Sequence, residues 1–180
     1  MAMKSLLKSN DTNKIIYYAT MTKKREVYII AANYLQNMDW HSDQDITKAI
    51  ITFYTKAKAP ESLSLFYSAC AQVEIDEYRD YEKAAEALRE SLKILSQGMS
   101  ADDPKVVELD RRLTIVEKFV EARHFAKTDP EEMERLCLDI LAQDNIEVRS
   151  IDHRAHVSSI CDKEWNNYRS RSEPVMYMPS

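Results

Sequence analysis

Few side chains in this sequence stand at spacings that could do chemistry. His153, His156 and Cys161 would bring three zinc ligands together if that stretch were helical, with a fourth needed from Asp152 or elsewhere. A Cys-x-x-Cys pair, the usual mark of a structural zinc site, is missing, so a polar helix with one buried cysteine is the plainer reading. Glu121 and His124 make one Glu-x-x-His step, half of the pattern by which helical bundles hold two iron ions. No second copy accompanies it, and a surface pair near a helix end at Phe125 accounts for both residues. Cys70 would act as a nucleophile only beside a polarising histidine, for which the local sequence gives no sign. Between Phe66 and Val73 it reads as a small buried hydrophobe. One glycine in 180 residues excludes the Gly-rich loops that cradle phosphates or dinucleotides. The sequence therefore predicts no catalytic residue, no metal and no cofactor, and a protein that is not an enzyme.

The elements that must carry these residues are helices. The common residues are mostly good helix formers, and one glycine with five prolines leaves few places for tight β-turns. At 44% apolar content the chain can bury one core or a continuous stacked one, and it is short for two independent domains. Asp11-Thr12 predicts the cap of a helix running to about Met21. Val27, Ile30, Ala31, Tyr34, Leu35 and Met38 then share one face, as do Ile46, Ala49, Ile50, Phe53, Tyr54 and Ala57. After Pro60, a helix carrying Leu63, Phe66, Cys70 and Val73 reaches a charged, aromatic joint at Tyr78 to Tyr81. The next runs from Tyr81 to Ser96, with Gly98 expected as a left-handed C-cap. Asp103-Pro104 and Asp129-Pro130 each read as a cap followed by a first-turn proline. They open helices with Val106, Leu109, Leu113, Val116 and Val120, and with Met133, Leu136, Cys137, Ile140 and Leu141, on their apolar faces. Beyond about Asn145 the periodicity weakens. The predicted organisation is all-α: an α-solenoid of antiparallel hairpins over residues 1–145, then a divergent tail over 146–180 with at most one short helix.

Net charge is −5 with the signs mixed, and the only compact basic cluster is Lys23-Lys24-Arg25 at a helix start. A duplex binder needs a basic stripe to neutralise phosphates, so nucleic acid is not an expected partner. No apolar run approaches the roughly 20 residues that cross a bilayer. The start "MAMKSLLKSN" is too short and polar for a secretory signal. Three widely spaced cysteines, Cys70, Cys137 and Cys161, argue for thiols in a reducing compartment.

In "DYEKAAEALRESLKIL" the order is aromatic Tyr81, small Ala84, bulky Leu88, small Ser91 and bulky Leu92, which matches the second helix of a tetratricopeptide repeat. Small residues there admit a partner helix. The stretches "KSLLKSNDTNKIIYYATMTKKREVYIIAANYLQNMDW", "ITFYTKAKA" and above all "FYSACAQVEIDEYRDYEKAAEAL" resemble the carboxy-terminal solenoid of the intraflagellar transport protein 140 family, over about residues 4–142. The resemblance implies a non-enzymatic scaffold of intraflagellar transport complex A, at the cilium and basal body, supporting retrograde ciliary transport and import of membrane cargo. It implies as partners the other complex A subunits, built of propellers and solenoids, and ciliary cargo adaptors. None of the family's amino-terminal propellers is present, so the chain reads as a carboxy-terminal piece with "MA" as an added start. It departs from the family in the tail, where relatives continue into another helical pair. A competing reading is a peptide-binding adaptor, whose groove would need Lys, Arg or Asn on its first helices; the stretch from Glu61 to Tyr78 offers none before Arg79.

Without a catalytic site, the candidate functional residues are interaction anchors: Trp40, Tyr78, Tyr81 and Trp165. Most tyrosines fall at or beside helix–helix positions. The two tryptophans lie off the regular stripes, which predicts exposed edges at the "NMDWHSDQD" turn and in the tail around Trp165. The amino-terminal stretch from Ile15 to Met21 is expected to expose a stacking face and to drive self-association.

Overall fold

The computed structural model of the chain describes residues 7–8, 11–126 and 128–142. From Asp11 to Ala142, the described residues form seven α-helices in succession: α1 Thr12–Thr22, α2 Arg25–Leu35, α3 Gln44–Lys56, α4 Pro60–Val73, α5 Tyr81–Ser96, α6 Pro104–Phe125 and α7 Pro130–Leu141. Between α4 and α5 a single π-helical turn spans Glu74–Tyr78. Each helix packs on its neighbours in sequence, the pattern of an all-α solenoid.

Aspartates start most of these helices, and the reason is local. A carboxylate at the N-cap accepts one of the backbone N–H groups that the first turn leaves unpaired, worth about 1 kcal/mol. Asp11 accepts from Lys14, Asp43 from Asp45 and Ile46, Asp80 from Lys83, Asp103 from Lys105 and Asp129 from Glu132. Proline follows the cap in α6 and α7, where its missing N–H costs nothing. The Lys83 side chain also bonds the Asp80 carboxylate and holds it below the usual aspartate range.

The first core cluster joins Ile15 and Ala19 of α1, Tyr28, Ala31, Ala32 and Leu35 of α2, Ile46, Ala49, Ile50, Phe53 and Tyr54 of α3 with Ala57 just after it, and Leu63 and Phe66 of α4. Here the predicted stripe of α2 is corrected. Ile30 is 43% exposed, whereas Tyr28 is buried and stacks on Phe53 with ring centroids 5.3 Å apart. The larger aromatic surface takes the inward position and turns the helix about its axis. Tyr54, also buried, satisfies its hydroxyl by donating to Asn33 Oδ1 at 2.6 Å and accepting from Gln36 Nε2.

The second cluster runs from Ala71 and Ile75 through Tyr81, Ala84, Ala85, Leu88 and Leu95 to Val106, Leu109, Leu113, Val116, Phe119 and Ile140. The small residues do what their spacing predicts. Ala71, Ala84 and Ser91 are wholly buried, letting α4 and α5 lie against each other along their lengths. Ser91 Oγ donates to the Ser64 carbonyl at 2.7 Å, and the Ser64 and Ser68 hydroxyls lie 2.8 and 3.0 Å from it. A third cluster, Ala122, Met133, Leu136 and Cys137, closes α6 against α7.

Other expectations are corrected. Gly98 is not in the left-handed region, and Gln97 caps α5 in ordinary helical geometry. The left-handed breaks fall on Lys23, Lys58 and Arg79, with φ of 53°, 49° and 57°. Packing on both sides of each break imposes the reversal that the sequence would have given to glycine. The reading of the cysteines as thiols holds at Cys70, which is free, and Cys161 lies outside the described residues.

Candidate interaction surface

Two of the four predicted anchors come together across a distance of 38 positions in the chain. The joint after α2 carries Trp40 and His41 to the flank of α4 and its π-turn. Trp40, half-buried, sets the edge of its ring against Phe66 at 5.1 Å and against His41 at 5.5 Å. His41 lies nearly parallel to Tyr78, with centroids 4.6 Å apart and an interplanar angle of 15°. Its Nε2 stands 3.4 Å from Glu74 Oε1. Tyr78 is 54% exposed and so forms the outer plate of the stack.

The π-turn makes this possible. Widening the last turn of α4 to Glu74–Tyr78, then reversing at left-handed Arg79, swings Tyr78 out of line with the buried stripe. Ile75 remains inside it. The Arg79 guanidinium donates back to the Ile75 carbonyl at 3.3 Å, and the Asp80 N–H donates to the Glu74 carbonyl at 3.0 Å. Beside the stack, Met38, Asp39, Ser42, Asp43, Gln44, Asp45 and Ile46 line a shallow, open depression.

Tyr81, three residues beyond Tyr78, is a correction. It is 2% exposed, packs edge-on against Phe119 at 4.5 Å and lies under the Arg123 guanidinium. A ring covered on both sides offers nothing to a partner; it fixes the start of α5 on α6. Burial raises the pKa of its phenol. The "NMDWHSDQD" turn is exposed at Asp39, Ser42 and Asp43 as expected, but Trp40 itself rests on the core rather than standing free. Trp165 and the His153, His156 and Cys161 set lie outside the described residues.

His41 and Glu74 are the functional candidates that the sequence reading missed. Adjacency to Trp40 was the one local signal for His41, since its partners are Glu74 and Tyr78, more than thirty residues away. Cys70 is half-buried, and loss of solvent pushes its thiol up to about 12, which leaves it protonated near neutral pH. Glu121 and His124 are exposed on α6, and among the described residues no three His, Cys, Asp or Glu side chains converge on a metal position.

At the amino-terminal end the expected stacking face is narrower than predicted. Ile15 and Ala19 are wholly buried, leaving Tyr17 and Met21, one turn apart, at 68% and 62% exposure. On α4, Leu65 is exposed between Glu61, which pairs with Lys105 of α6 at 2.9 Å, and Gln72, which accepts from Arg112 at 3.2 Å. No helix among the described residues is long and apolar enough to cross a membrane.

Comparison with known families agrees with an all-α tetratricopeptide architecture. Residues 1–53 match the model of the tetratricopeptide (TPR) domain shared by intraflagellar transport proteins 140 and 172. Residues 61–166, more than half of the chain, match that of the C-terminal TPR domain of intraflagellar transport protein 140. Tetratricopeptide domains are interaction modules, and the small-residue seam of α4 and α5 is their mode of packing. The chain thus belongs to the family of the intraflagellar transport protein 140 C-terminal TPR domain, tetratricopeptide scaffolds of the intraflagellar transport machinery.

Proposed function

We propose that this chain is a scaffold segment of intraflagellar transport complex A, working at the cilium and its basal body in retrograde transport and in import of membrane cargo. The observation that carries the reading is the pair of family matches over a solenoid whose helices are committed to packing, with an aromatic stack left at one edge. The mechanism is burial of exposed aromatic and apolar side chains, Tyr78 foremost, against other subunits of the complex. Such anchors supply most of an interface's affinity, while surrounding charges select the partner. Ciliary cargo adaptors are a further class of partner for the same surface.

A peptide-binding adaptor has less support. A carboxylate clamp needs unengaged cations along the first helices of successive hairpins. Lys105 and Arg112, which border α4, are instead held by Glu61 and Gln72.

The test is affinity capture of the tagged chain from ciliated-cell extract, beside a Tyr78→Ala variant and a copy truncated after Gln143. Complex A subunits should be enriched with the parent chain and reduced several-fold with Tyr78→Ala. Enrichment of chaperones or other motif-bearing proteins in their place would favour the adaptor. Loss of complex A subunits only on truncation would move the contact to the tail.

A further inference from the structure

The α1–α3 unit and the α4–α5 hairpin are joined unevenly. The backbones of α2 and α3 approach each other closely along their lengths, as do those of α4 and α5, whereas α3 and α4 approach at only a few positions. The link between them is three residues, Ala57 to Ala59, reversing at Lys58 with φ 49°. One side-chain bond braces it, from Arg25 Nε to the Ala57 carbonyl at 2.9 Å. The buried residues of the first core cluster end on α4 at Leu63 and Phe66, with half-buried Tyr67 and Cys70 of α4 and Ile94 of α5 packed against it, and the second takes over from Ala71. A second attachment lies farther along α4, where Trp40 meets Phe66 and His41 meets Glu74 and Tyr78.

We infer that the Trp40–His41 joint is a releasable strap that sets the angle between these two units. A hinge at Lys58 alone leaves one rotation open, because a short linker and a narrow patch of packing resist bending less than an interdigitated face. The strap closes that freedom at a second point along α4. Its outermost ring is the part free to leave: Tyr78 is more than half exposed, whereas the His41–Glu74 pair behind it is largely covered, with side chains 24% and 17% accessible. A partner that takes up the Tyr78 ring competes with His41 for it, so docking at this edge and bending of the solenoid are coupled. The inner contact, Trp40 on Phe66, keeps the units attached while the angle changes.

The inference concerns shape and holds whichever partner is bound. Bio-orthogonal spin labels at exposed Glu26 on α2 and exposed Glu86 on α5 would report the angle between units, and a pair at Ser62 and Lys93 the geometry inside the α4–α5 hairpin. His41→Ala and Tyr78→Ala should each broaden and shift the first distance distribution while leaving the second unchanged. Glu74→Gln, which keeps the shape and removes the charge, should give an intermediate result. An inter-unit distribution unchanged in both alanine variants would overturn the strap. Equal broadening inside the hairpin would overturn it too, since it would mean general loosening.

Discussion

Helix α4 has two interfaces built from opposite kinds of side chain. Toward α5 it presents Ser64, Ser68 and Ala71, and the facing residues Ala84 and Ser91 are equally small. Toward the α1–α3 unit it presents Phe66, the π-turn and Tyr78, met by Trp40 and His41. Small side chains let two backbones approach over many residues, so the energy is spread thinly along a seam and any added volume is felt. Large rings concentrate the energy in a few contacts that span a gap. The first arrangement makes a rigid hairpin; the second makes a joint whose geometry a handful of residues controls.

The comparison is most severely tested at Phe66, buried at 1% exposure and carrying the edge of Trp40. Phe66→Ala should cost about 4 kcal/mol in urea denaturation, with the loss of Trp40 packing seen as a red-shifted emission in a Trp165→Phe background. A cost below about 1 kcal/mol would mean that the aromatic contacts are decoration and that the junction is held elsewhere. On the other side of α4, Ser91→Leu inserts volume where a hydroxyl fits among three serine atoms. It should cost about 2 to 3 kcal/mol. If Ser91→Leu were neutral, the seam would have room to spare and its small residues would need another explanation. The smallest expected effect lies at the hinge. Lys58→Gly removes a side chain from a left-handed position and should raise stability by a few tenths to about 1 kcal/mol, the steric relief set against the added freedom of the unfolded chain. A clear loss would show that the lysine stem braces the link.

Local features were legible to the degree that their causes are local. The start of α1 at Thr12, the span of α5 from Tyr81 to Ser96, and the starts of α6 and α7 after Asp-Pro all follow from side chains within three residues of the helix end. The face of α2 was misjudged at Ile30 because Tyr28 had a ring to meet, Phe53, on another helix. Gly98 was assigned a left-handed cap by residue type alone, whereas Lys23, Lys58 and Arg79 take that conformation under the constraint of their neighbours. Among the anchors, Tyr78 and Tyr81 could not be told apart by sequence. A single π-helical turn and a reversal at Arg79 place one outside and the other under Arg123.

By itself, then, the sequence determined an all-α chain of stacked hairpins, their capped starts and the small-residue seam between α4 and α5, because these rest on propensity, capping and periodicity over one or two turns. Only the tertiary structure decided that His41 would lie between Trp40 and Tyr78, that Glu74 would face it, and that Tyr81 would be buried. Those outcomes depend on where a joint thirty residues away comes to rest. That position is set by the competition of large apolar surfaces for a shared core, which no local pattern records.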